Sequence, residues 1–160
     1  MNYRIVEKEA FTVVGKGLAV SCKNGDNFIT IPAFWDECMA DETFMSRIRP
    51  EIGELGIMGV IADYNPVANE LSYMIAIEKT DTIDTSTLYT EVIPASTWLV
   101  IESIGPVREK IRSVCEQIQQ WLPTSGFTHA GTAELEIYYP GDITQADYRM
   151  EIWIPVVERA

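Results

Sequence analysis

No stretch of this 160-residue chain approaches the roughly 20 consecutive apolar residues that a membrane-spanning helix needs, so a helical span is excluded. The first residues also lack a basic segment followed by a long apolar run, and without that export signal a cytoplasmic protein is expected. Cysteine is scarce. Cys22, Cys38 and Cys115 are odd in number and widely spaced, which argues against a disulfide framework and fits a reducing compartment. Histidine is scarcer still: His129 stands alone in the polar segment Gly126-Phe127-Thr128-His129. No Cys or His pair has ligand spacing, so no metal site is expected. A Ser-His-Asp arrangement would have to recruit His129 with no Gly-x-Ser-x-Gly elbow to present the serine. Basic residues are few as well, 12 Lys and Arg against 24 Asp and Glu, for a net charge of −12. They form no patch able to displace the counterions of a phosphate backbone, so no direct nucleic-acid partner is expected. Gly15-Lys16-Gly17 and Gly105-Pro106 extend to neither a dinucleotide fingerprint nor a Walker loop, and no cofactor is expected.

What is present reads as one globular domain spanning residues 1–160, with 47% hydrophobic residues. Its acidic residues are dispersed rather than blocked, which makes a solvated surface whose field favours cationic partners. Loose alternation from Tyr3 to Val20 predicts a strand with a bulge near Gly15 and Gly17. Thr30 is the expected N-cap of a helix over about 31–45, in which Phe34/Cys38 and Trp35/Met39 are i, i+4 pairs. The apolar runs Leu55 to Asp63 and Leu71 to Ile77 predict a hairpin turned at Asn65-Pro66 and Asn69, and the polar stretch 80–87 predicts a linker. A second strand pattern runs from Tyr89 to Ile104, broken near Pro94. Val107, Ile111, Val114, Cys115, Ile118, Trp121 and Leu122 then mark one face of a helix stopped by Pro123 and Gly126. Strands at about 133–139 and 148–157 finish the chain around Pro140-Gly141-Asp142. The fold class expected is therefore α+β. Two pseudo-repeat halves, about 1–80 and 88–158, each read β-α-β-β, and their antiparallel sheets and two main helices are expected to surround a central cavity.

Carboxylates and aromatics alternate in the last two strands. By period two, Glu134, Glu136 and Tyr138 share one face, and Glu151 shares a face with Trp153. Two readings stay open at this point: a sheet whose polar face simply meets water, or a binding site. The aromatic supply suits the second, with Trp35, Trp98, Trp121 and Trp153 beside Tyr64, Tyr73, Tyr138 and Tyr148. Rings of this kind pack against planar ligands and attract cations by roughly 0.5 to 2 kcal/mol each. A carboxylate dried among them costs several kcal/mol on its own, roughly, and a cationic guest offsets that cost.

An ordered set of segments carries a family resemblance: Gly15-Lys16-Gly17, Pro32 to Trp35, Ile104-Gly105-Pro106, Gln120 to Gly126, Glu136-Ile137-Tyr138 and Met150 to Val156. Over nearly its whole length the chain resembles the GyrI-like superfamily, the effector-binding domains of AraC-type and BmrR-type multidrug regulators, which also occur standing alone. The resemblance implies two β-α-β-β repeats around a hydrophobic cavity, with Glu136 at the position that meets lipophilic cations. It further implies Trp35, Tyr64, Tyr73, Tyr138 and Trp153 as cavity residues, joined by Glu151 from the strand pattern. The chain has no room for a helix-turn-helix domain beside this one. The function expected is stand-alone binding of lipophilic, cationic organic compounds. Two alternatives go with the resemblance: a hydrolase of electrophilic cytotoxic compounds with Glu136 as base, and a protein inhibitor of the gyrase-inhibitor type, which would have a protein partner.

Overall fold

The computed structural model describes residues 1–160, and it is an α+β fold. Nine strands form one antiparallel sheet: β1 (Tyr3–Lys8), β2 (Phe11–Ser21), β3 (Ile57–Asn65), β4 (Glu70–Glu78), β5 (Tyr89–Ile93), β6 (Ser96–Ile104), β7 (Phe127–His129), β8 (Glu134–Tyr138) and β9 (Arg149–Glu158). Three helices accompany them: α1 (Asn27–Ala40), α2 (Glu42–Ile48) and α3 (Val107–Trp121). No helix is long and apolar enough to cross a membrane. The strand order is β1-β6-β9-β8-β3-β4-β2-β5, with β7 also on β9. At the centre the two halves meet through β3 and β8, with Gly59 opposite Glu136 and Ile57 opposite Tyr138.

The single strand expected over Tyr3 to Val20 is two. β1 stops at Lys8 and pairs with β6 of the other half, while β2 stays in its own half beside β4 and β5. The second half repeats the exchange, since β5 pairs with β2 and β6 with β9. Residues 9–10 and 94–95 therefore each tie one end of the sheet to the other, and a sheet joined at both ends must curl. Its helix-free face turns inward, so that Val13 and Ile93 from one end pack in one cluster with Trp98, Val100 and Trp153 from the other. On the outer face the helices make two further cores: α1 and α2 over β2 and β4, and α3 over β6 and β9.

The first helix begins earlier than the sequence suggests. Asp26 precedes it, and the Thr30 amide already bonds the Asp26 carbonyl, so Thr30 lies inside the first turn rather than capping it. The helix also breaks at Asp41, whose extended backbone (φ −83°, ψ 94°) starts α2 and whose carboxylate accepts from the Phe44 amide at 3.1 Å. The two i, i+4 pairs of α1 point different ways. Phe34 and Cys38 enter the core against the sheet, whereas Trp35 and Met39 face the space between α1 and α3.

Candidate functional site

That space is a cavity of about 1760 Å³, which continues past the sheet toward Val92–Pro94. Its floor is the outer face of β3 and β8, one wall is α1 with Phe28, Ile31 and Trp35, and the other is α3 with Ile111 and Cys115. The helices meet across the mouth only through side chains. Arg108 pairs with Asp36 at 2.6 Å, and the Arg112 guanidinium lies 4.5 Å from the Phe28 ring centre.

Glu136 sits in mid-strand on β8, 7% exposed. The Tyr73 hydroxyl donates to its Oε1 at 2.5 Å, and the Tyr138 hydroxyl donates to the same oxygen at 3.3 Å. Trp35 Nε1 donates to the Tyr73 oxygen at 2.8 Å, which turns the tyrosine proton toward the carboxylate. The Trp35 ring also stands edge-on to Tyr138, centres 4.8 Å apart. Four side chains from α1, β4 and β8 thus form one connected group. Oε2 of Glu136 receives no hydrogen bond from the protein. Burial pushes this carboxyl above its ordinary value and the charge of Glu134 adds to the rise, while the two tyrosine hydroxyls pull the other way. Burial and the Glu136 charge in turn hold the Tyr73 and Tyr138 hydroxyls protonated well above the usual tyrosine range. Cys115 is pushed up to about 12 by burial, reinforced by Glu136, and is a neutral thiol.

Charge is distributed unevenly around the cavity. Three arginines line it, Arg49, Arg108 and Arg112, and each is held by a carboxylate, Glu42, Asp36 and Glu116 respectively. Six carboxylates line it as well: Asp36 and Glu116 are taken by those pairs, Asp63 and Glu91 stand exposed at the rim, and Glu134 and Glu136 rise from the floor strand β8. No cationic side chain is within ion-pair distance of Glu136.

A family model described as Cass2, integron-associated effector binding protein, matches residues 4–156. The chain belongs to this family. Among solved structures, SAV2435 bound to tetraphenylphosphonium shares the fold with a TM-score of 0.84 at 22% identity, over 98% of this chain and 94% of that one. An integron cassette protein from the mobile metagenome of Vibrio cholerae superposes with a TM-score of 0.69 at 15% identity, over 97% and 95% of the two chains. The C-terminal domain of EcmrR gives 0.64 at 19% identity, over 99% and 100%. Among curated proteins none matches the chain in sequence.

In this Cass2-family protein the residues expected at the site divide into three sets. Glu136, Tyr73, Tyr138 and Trp35 come together as described. Tyr64 lies at the outer end of β3, 57% exposed, and its hydroxyl donates to Asn69 Oδ1 at 2.8 Å, so it belongs to the rim. Glu151 and Trp153 are elsewhere, and their expected place in the cavity is corrected. In the β8–β9 register Trp153 is opposite Leu135 and Glu151 opposite Ile137, which puts both on the inner, helix-free face, away from Glu136. There Glu151 accepts from Arg4 at 2.7 Å, Tyr139 at 2.6 Å and Trp153 Nε1 at 3.2 Å, while Trp153 packs against Trp98. Sharing a face with each other did not make them share one with Glu136.

Two features escaped sequence reasoning. Gly59 lies beneath the Tyr73–Glu136 bond, where a Cβ would come within 2.2 Å of the tyrosine oxygen and 2.3 Å of Oε1. A lone glycine inside an apolar strand was the signal for such a close approach. His129, which the sequence places only in a polar segment, belongs to β7 opposite Val156, and its Nε2 meets Glu134 Oε1 at 2.9 Å. A contact made five residues away through a strand pairing leaves no trace in local pattern.

Proposed function

We propose that this protein is a receptor for lipophilic organic cations of the multidrug type, with Glu136 as the countercharge and Trp35 and Tyr138 as aromatic walls. The observation that carries the reading is Glu136 itself. It is a buried carboxylate held by hydroxyls alone, with one oxygen free, in a cavity whose arginines are all engaged elsewhere. Such a group costs free energy until a cation reaches it, and a cation with an apolar body replaces its lost hydration without competing for water. The SAV2435 complex supports the choice of ligand class.

Titration calorimetry with tetraphenylphosphonium tests the proposal. The wild type is expected to bind, and Glu136→Gln to lose at least about tenfold in affinity, which corresponds to roughly 1.4 kcal/mol. Equal affinity for the two proteins would remove the basis of the reading. The raised carboxyl of Glu136 and its free Oε2 also suit a general base toward water, which is the hydrolase reading. Turnover of an electrophilic compound by the wild type, followed by mass spectrometry and abolished in Glu136→Gln, would favour catalysis over binding.

A further inference from the structure

We propose that Glu134, oriented by His129, is a second recognition point in the same cavity and selects elongated dications over compact monocations. The inference rests on the cation-binding reading and specifies its ligand. Glu134 and Glu136 are two residues apart on β8, so both project to the helix-facing side, about 7 Å apart along the strand. Glu136 is the deep member, at 7% exposure, whereas the Glu134 side chain is 33% exposed and sits nearer the mouth.

The imidazole fixes the outer carboxylate. His129 Nδ1 accepts the Gly131 amide at 2.8 Å, which leaves Nε2 as the N–H that points at Glu134 Oε1, 2.9 Å away. Glu134 is thereby held in place by an imidazole N–H, and no lysine or arginine pairs with it. The cavity thus offers one inner and one outer carboxylate, both without a lysine or arginine partner. A molecule with two positive centres joined by a short apolar linker satisfies both carboxylates, with the apolar side chains of α1 and α3 beside its linker. A single compact cation satisfies only the deeper one.

A matched pair of probes tests this: tetraphenylphosphonium, and two triphenylphosphonium groups joined by a butane linker. Each is titrated into wild type, Glu134→Gln and Glu136→Gln, with circular dichroism to show that the variants fold. The wild type is expected to prefer the dication. Glu134→Gln should weaken the dication by about fivefold, the upper range for a partly exposed ion pair, and the monocation by less than about twofold. Glu136→Gln should weaken both. If Glu134→Gln shifts the two probes equally, or shifts neither, the second recognition point is overturned while the receptor reading stands. If wild type binds neither probe, both fall.

Discussion

At Gly59 the absence of a side chain decides the geometry of the site. The backbone of β3 passes under the bond between Tyr73 and Glu136, so in Gly59→Ala the new methyl group must push those two side chains apart. The expected cost is about 1–3 kcal/mol, as for other methyl groups forced into a packed interior. It should appear as a lower urea midpoint together with weaker cation binding. Unchanged stability and affinity would mean that the tyrosine and carboxylate need not touch. Glu136 carries a stability signature of its own. Its folded-state pKa is raised above the ordinary 4.5, so the folded protein holds this proton more tightly than the unfolded chain does. The resulting stabilisation is fully present below about 4.5 and is lost as pH rises through the raised value. Glu136→Gln should therefore raise the Tm of the ligand-free protein at pH 7.5, with the gain shrinking as pH falls toward 4. A Tm difference that does not change with pH would show that the carboxyl is no harder to ionise in the fold than out of it.

Each half lends its first strand to the other, and β1 is fastened on arrival by a buried charge. Arg4 reaches Glu151 on β9, two strands away, and Glu151 is only 4% exposed. Burial pushes the Glu151 carboxyl up, but hydrogen bonds from Arg4, Tyr139 and Trp153 and the Arg4 charge outweigh it, leaving the group below its ordinary value. A depressed carboxyl contributes stability above the unfolded value near 4.5, and that contribution disappears as pH falls through the folded value. Arg4→Ala is thus expected to cost about 1–2 kcal/mol at neutral pH, a figure discounted because the arginine is half exposed. The cost should fade on acidification and be accompanied by faster amide exchange in β1. Equal stability of Arg4→Ala and wild type across the pH range would show that strand pairing alone holds β1. The exchange of strands was not legible in the sequence, because alternation reports which residues face inward and not which strand lies alongside. The amphipathic face of α3 and the hairpin of β3 and β4 were legible, because each rests on local periodicity, whereas periodicity put Glu136 only on a face with Glu134 and Tyr138, and the family resemblance singled it out. Glu151 and Trp153 were misplaced for a related reason: period two ranks residues within a strand, and only the register between β8 and β9 says which ranks coincide.

On the cation-receptor proposal, the charge of −12 and the carboxylates at the cavity are expected to act on the same ligand at different ranges. The dispersed surface charge would draw a cation from solution and is screened over about 8–10 Å at ordinary ionic strength. Glu136, at the cavity floor and shielded from salt, would act after entry. The two contributions separate kinetically, since a long-range field changes encounter while a buried contact changes residence. Stopped-flow fluorescence, with Trp35 in the cavity wall as reporter, should show association of tetraphenylphosphonium slowing severalfold between about 10 mM and about 150 mM salt, the range over which the screening length contracts from about 30 Å to about 8 Å. Dissociation should stay nearly constant over that range and accelerate in Glu136→Gln. An association rate indifferent to salt would mean that the acidic surface serves solubility alone, and a dissociation rate that rose with salt in the wild type would place the deciding carboxylate in contact with solvent.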